Sequence, residues 1–317
     1  MGNKFMSSAV IALVFAFLLD VLFGDPPNRF HPVVAMGSLI RWTTRHFNHG
    51  RPVFRFLFGM ISILIGALLF SLPWLFFSKW IASLPFWASG LLTGFFLKPV
   101  FAFRSLLKAG TEVQQALKQN NLSEARRLVS WHLVSRDTSS LNENQVASAT
   151  IESLAENLTD SFFAPLFYFA IGGLPLAWFY RYINTGDAMI GYHTEEFEAF
   201  GKFTARLDDG LNWLPARISA LLIVLSSAMC HLNYKNAFIV MKEQHQQTES
   251  PNAGWTMAAA AGALQVILEK QNTYKLSGGE NSPTQQTIQS AVRLTKVSLF
   301  LSLLFCGGIL FIYELCI

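Results

Sequence analysis

The chain has 317 residues, of which 52% are hydrophobic and only 14% charged, a balance that excludes an ordinary soluble domain and indicates a membrane protein. Its net charge of +4 comes without a basic motif, so it bears on orientation in a bilayer and not on nucleic acid, which is not an expected partner. The three cysteines, Cys230, Cys306 and Cys316, lie in or beside apolar segments without ligand-like spacing, which leaves neither a disulfide framework nor a zinc site.

Apolar runs close to the roughly 20 residues needed for a spanning helix are predicted at 6–23, 56–77, 80–97, 161–180, 214–232 and 297–317. The first follows Lys4 as a signal peptide would. It ends in Asp20 and Gly24-Asp25-Pro26-Pro27 instead of a small-residue cleavage site, so it reads as an uncleaved helix. The fourth contains Pro165, Gly172, Gly173 and Pro175, each of which weakens a helix, and is predicted to dip into the membrane and return.

If all six runs cross, the three odd-numbered loops hold 18 of the 24 lysines and arginines, which places them in the cytoplasm. If the fourth and fifth runs both fail to cross, the cytoplasmic share rises to 22 of 24, so re-entrant or broken helices are expected there, around a polar cavity. Residues 104–150 show helical apolar periodicity broken near Asn120 and again at 135–142, and read as a cytoplasmic helical insertion. Residues 268–290 read as a mobile loop. The expected fold is therefore an all-α, polytopic integral membrane helical bundle, one domain over 1–317, with re-entrant or broken helices.

Five polar clusters sit beside these runs. Glu152, Glu156 and Asp160 fall at i, i+4 and i+8 and form one acidic stripe if helical. Like charges at that spacing repel by a few tenths of a kcal/mol per pair, so the stripe calls for a cation, and with Asn157 it offers the oxygen donors that suit magnesium. A solvated helix face capped by Asp160 is the open alternative.

The stretch YRYINTGDAMIGY supplies Asn184 and Asp187, and ARLDDGLNWLPAR supplies Arg206, Asp208, Asn212 and Arg217. Those arginines can fork onto phosphate or carboxylate, or form internal salt bridges. Asp20, Asp25, Arg29 and His31 follow the first run in a proline-rich turn, and Ser250, Asn252 and Trp255 precede a small-residue helix. No Walker-type phosphate loop, G-x-S-x-G elbow or H-E-x-x-H motif is present.

The stretches LLDVLFGDPPNRFHPV, SRDTSSLNENQVASATIESLAENLTDSFFAPLFYFAIGG, RYINTGDAMIGY, ARLDDGLNWLPAR and SPNAGW occur in the order of the integral-membrane CobD/CbiB family, which the chain resembles over nearly its whole length. That resemblance implies an adenosylcobinamide-phosphate synthase of cobalamin biosynthesis. Such an enzyme is an ATP-dependent ligase joining a carboxylate of adenosylcobyric acid to the amine of aminopropanol phosphate or ethanolamine phosphate, through an acyl phosphate.

It further implies ATP and magnesium as cofactors, and a multi-pass location in the cytoplasmic (inner) membrane with the site facing the cytoplasm. The implied partners are the corrinoid, the amino-alcohol phosphate, the bilayer, and either pathway enzymes or a second copy of the chain. On this resemblance Glu156, Asp160 and Asp187 would bind magnesium or deprotonate the amine, with Asp25 and Asp208 next. Arg136, Arg206 and Arg217 would hold phosphates, Asn157, Asn184 and Asn252 the corrinoid rim, and His31 and Asn212 would complete the substrate surface.

The chain departs from the family pattern after SPNAGW, where LEKQNTYKLSGGENSPTQQ keeps little of a glycine-rich segment, a feature that bears on substrate preference. Two other classes compete: a noncatalytic, AmpE-like membrane regulator, which would lack most of these acids, and a transporter, which would show paired repeats.

Overall fold

A computed structural model describes residues 2–134, 137–192, 194–271 and 273–316. In chain order the elements are α1 (Gly2–Phe23), α2 (Pro32–Phe47), α3 (Pro52–Ala82), α4 (Phe86–Leu97), α5 (Arg104–Lys118), α6 (Leu122–His132), α7 (Glu143–Asn157) and α8 (Ala164–Ile190). There follow α9 (Lys202–Met229), α10 (Tyr234–Gln244), α11 (Ala253–Leu264), the strands β1 (Ile267–Lys270) and β2 (Tyr274–Ser277), and α12 (Gln285–Cys316).

The helical stretches at Pro52–Ala82, Phe86–Lys118, Glu143–Ile190, Lys202–Met229 and Gln285–Tyr313 are long and apolar enough to cross a membrane, and Ser8–Phe23 is a shorter apolar helix. The protein is an all-α, polytopic membrane bundle. Along α3 the side chains of Leu57, Ile61, Ile65, Leu68 and Leu72 are exposed, an apolar face that lipid can cover.

The chain separates into two compact units: Met1–Ala102 with Ala164–Leu211 and Leu303–Ile317, and Phe103–Phe163 with Asn212–Ser302. In the first unit α1 lies against α4 through Gly90 and Gly94, one helical turn apart. A Cβ at Gly94 would sit 2.6 Å from the Ala12 carbonyl oxygen, and one at Gly90 2.8 Å from that of Ser8, the close backbone approach that small residues permit in membranes.

α8 is two half-helices. Gly172 and Gly173 leave helical geometry, Gly173 with φ +65°, which glycine adopts without steric cost. The rings of Tyr168 and Tyr180 stack with centroids 5.1 Å apart, whereas twelve residues of unbroken helix would separate them by about 18 Å along the axis. The chain therefore reverses at the glycine pair, and Pro175 stands in the first turn of the returning half, where its missing N–H costs no helical bond.

The fifth apolar run behaves differently from the expectation of a break: α9 continues for 28 residues through Pro215. Proline at that position leaves the Leu211 carbonyl without its helical donor. The Tyr168 hydroxyl supplies one, donating to that oxygen at 2.7 Å.

The second unit contains α5–α7, α10, α11 and the hairpin. Asn120 takes φ +55° where the periodicity of the 104–150 segment breaks, Asn121 caps α6, and Asn142 with Gln145 forms a capping box on α7. Val113, Leu117, Ile151, Leu154, Ala258 and Leu268 belong to its core.

Residues 268–290, read from the sequence as a loop, hold most of an antiparallel hairpin that pairs Leu268 with Leu276, and the start of α12. Asn236 of α10 donates to the carbonyls of Gly262 at 2.9 Å and Gly278 at 2.6 Å, tying that hairpin to the α10–α11 pair.

Candidate active site

α7 ends in a π-helical turn, Leu158–Phe163, that leads into α8. Widening the turn shifts the phase of every later side chain, and such turns recur at functional sites. The acidic stripe is thereby split.

Glu152 is 5% exposed and accepts hydrogen bonds from the Ser148 hydroxyl at 2.7 Å and the Tyr274 hydroxyl at 2.8 Å. The same Ser148 oxygen accepts the Glu269 backbone N–H at 2.9 Å. Glu152 is thus a structural node between α7 and the hairpin, while Glu156 and Asp160, on either side of the start of the π turn, are half-buried. Asn157 donates to the Ser153 carbonyl at 3.0 Å and accepts from the Ser161 hydroxyl at 2.8 Å, which commits its amide to bridging the junction.

Upstream, in the SRDTSS stretch, Asp137 accepts both the Ser139 N–H and the Ser139 hydroxyl at 2.9 Å, and these bonds hold its carboxyl below the usual carboxylate range. Arg136 lies outside the described residues.

Also in the second unit, Arg217 on α9 is caged by aromatic rings. Its guanidinium carbon lies 4.4 Å from the centre of the Trp213 ring and 4.8 Å from that of Trp255. Its Nη1 donates to the Trp213 carbonyl at 2.5 Å and to the Asn252 side-chain oxygen at 3.3 Å. The Ser250 hydroxyl accepts the N–H groups of Asn252 at 3.2 Å and Ala253 at 3.3 Å, which fixes the turn into α11. Gly254 abuts the His245 carbonyl so closely that a Cβ there would collide with it. Asn212, on the same helix as Arg217, is buried.

In the first unit, Gly24 at φ +70° turns the chain out of α1 and brings Asp25 back toward Asp20. Lys98, at the end of α4, is 6% exposed, with its Nζ 2.8 Å from Asp20 and 2.6 Å from Asp25. His31 caps α2 by accepting the Val33 N–H on Nδ1 at 3.2 Å, so a neutral ring carries its proton on Nε2, which lies 4.0 Å from Asp25.

On α8 the Asn184 amide donates to Asp208 of α9 at 3.4 Å, and Asp208 is 7% exposed. Asp187, in the last helical turn before Gly191, is half-buried, and a Cβ at Gly191 would collide with its carboxylate. Arg206 is exposed.

The structure thus joins Asp25 with His31, Asn184 with Asp208, and Arg217 with Asn252. The sequence signal for Lys98, which was not among the expected residues, is a single lysine closing the apolar run FFLKPVF.

Among the described residues no group of three or more His, Cys, Asp or Glu side chains could by itself hold a metal ion. The donor chemistry of Glu156 and Asp160 still fits magnesium, which commonly takes one or two carboxylates and completes its shell with water and phosphate oxygens.

The family model described as "CobD/Cbib protein" matches residues 13–298. The chain is 40% identical to the "Probable cobalamin biosynthesis protein CobD" of Methanothermobacter thermautotrophicus over 305 residues, 96% of this chain and 99% of that one. It is 38% identical to the "Cobalamin biosynthesis protein CobD" of Dehalococcoides mccartyi over 90% of this chain and 92% of that one. With the "Cobalamin biosynthesis protein CbiB" of Salmonella arizonae it shares 35% identity over 84% and 83%. No solved structure matches.

Proposed function

The chain belongs to the CobD/CbiB family, and on that premise we propose that it works in cobalamin biosynthesis as an ATP-dependent amide ligase. It would join adenosylcobyric acid to aminopropanol phosphate or ethanolamine phosphate at the cytoplasmic face of the inner membrane. The observation that carries this reading is that one compact unit holds both half-buried carboxylates at the π turn and an arginine caged by neutral groups. A ligase that handles an ammonium nucleophile and phosphate charge needs both signs.

In this reaction a carboxylate oxygen of the corrinoid attacks the γ-phosphorus of ATP, the bond to the bridging oxygen breaks, and ADP leaves with that electron pair. The amine, after giving a proton to Glu156, attacks the acyl carbon and phosphate departs. Arg217 offsets phosphate charge, and Asn252, in the same unit, offers its amide to the corrinoid rim. Magnesium, held by Glu156 and Asp160, would supply further neutralisation of phosphate oxygens.

The fold-back of α8 is the feature a transporter would share. The cavity of about 390 Å³ at its tip is lined, among the described residues, by apolar and small side chains that include Ser8, Leu75, Phe169, Gly173 and Leu310, not by the acids of an ion relay. ADP release by the purified protein that requires both the corrinoid acid and the amine phosphate tests the ligase reading. Release independent of either substrate, or none at all, contradicts it.

A further inference from the structure

Arg217 is built into its cage as a cation that no described carboxylate meets. The two groups that orient it, the Trp213 carbonyl and the Asn252 amide oxygen, are neutral, so they fix the plane of the guanidinium without cancelling its charge. Both bonds use Nη1; Nε and Nη2 make no hydrogen bond to any described residue, and no described carboxylate pairs with the side chain. That vacant edge is the planar two-donor fork that matches two oxygens of one phosphate.

The surroundings hold it rigid. Asn252 is buried, and the His245 ring lies against Trp255 with centroids 3.8 Å apart and planes tilted by 31°. His245 Nδ1 lies 3.1 Å from the Met241 carbonyl, which only accepts, so Nδ1 is the protonated nitrogen. A second signal comes from Trp255, whose Nε1–H is buried and hydrogen-bonded to no described residue, a donor left costly unless a ligand takes it. Arg206, the other described arginine expected to meet phosphate, is exposed and has no such cage.

We propose that Arg217, with Trp255 beside it, is the receptor for a substrate phosphate, and that it sets the requirement for the phosphorylated form of that substrate. The proposal rests on the ligase reading for which molecules carry the phosphate, but not for the binding itself.

Binding of O-phosphoethanolamine and of ATP is measured by titration calorimetry on the full chain in detergent, and KM for all three substrates in the amide-forming reaction. Wild type is compared with Arg217→Lys, which keeps the charge but loses the fork, and with Trp255→Phe, which keeps a ring but loses the donor. Arg217→Lys is expected to weaken one phosphate-bearing ligand by about 10- to 100-fold, with a smaller change in kcat and none in KM for the corrinoid acid. Trp255→Phe is expected to weaken the same ligand by a smaller factor.

A loss confined to O-phosphoethanolamine identifies the phosphate as the monoester of the amine substrate, and a loss confined to ATP identifies it as the nucleotide's. Unchanged affinity for both, or a loss confined to the corrinoid acid, overturns the proposal. A wild-type protein that binds phosphate through Arg217 but forms no amide leaves the receptor standing and removes the ligase reading instead.

Discussion

Lys98 shows what a single buried charge does in this protein. Its ammonium lies within salt-bridge distance of two carboxylates, Asp20 and Asp25, and all but 6% of the residue is inaccessible to solvent. Removing one partner from a buried ion cluster typically costs about 3–5 kcal/mol, because the remaining charges stay desolvated. Lys98→Met is therefore expected to lower the melting temperature of the detergent-solubilised protein by several degrees. An unchanged melting temperature would show that the two carboxylates are hydrated without the lysine.

The residue types of the site were legible in the sequence as clusters of acids, amides and arginines. Their partners were not, because Lys98 and Asp25 are 73 positions apart and Glu152 and Tyr274 are 122 apart. Glu152 looked like a member of a functional stripe for that reason: its role as a node appears only once Ser148 and Tyr274 close on it. Tyr274 also belongs to the segment that departs from the family's glycine-rich pattern. There Gly278 and Gly279 sit so close to the carbonyls of Ala261 and Gln265 that side chains would clash.

At the scale of elements, the reversal in α8 and the continuity of α9 are two sides of one contact. Gly172, Gly173 and Pro175 made the break in the fourth apolar run readable, since no other arrangement suits that composition so well. The unbroken course of α9 through Pro215 was not readable, because the group that satisfies the orphaned Leu211 carbonyl comes from Tyr168 on another helix.

Tyr168→Phe should destabilise the protein by about 1–2 kcal/mol, the cost of leaving a buried acceptor unpaired. Pro215→Leu, which returns the helical N–H, should recover most of that loss in the double variant. Equal losses with and without the second change, measured by thermal unfolding, would show that the tyrosine acts elsewhere. The π turn and the hairpin escaped sequence reading for simpler reasons. A single wider turn leaves no compositional mark, and strands of four residues are too short for a clear alternation.

For the whole molecule, the uneven distribution of lysine and arginine among the loops gives an expected orientation that labelling can test. The expectation from the sequence that the site faces the cytoplasm, taken with the reversal of α8, makes 191–201 an expected cytoplasmic segment. A single cysteine placed at the exposed Glu195 should therefore react with a membrane-impermeant maleimide in inverted vesicles and not in intact cells. The opposite pattern would reverse the orientation.

Whether this membrane bundle makes an amide bond is read out by product analysis. Purified protein is incubated with adenosylcobyric acid, aminopropanol phosphate, ATP and magnesium, and the product is followed by mass spectrometry, in parallel with Glu156→Gln and Asp187→Asn. Wild type should yield adenosylcobinamide phosphate and each variant at least a hundredfold less at equal folded yield, a loss on the scale of general-base catalysis. Wild-type protein that is folded and silent, or variants that retain full activity, would contradict the ligase reading.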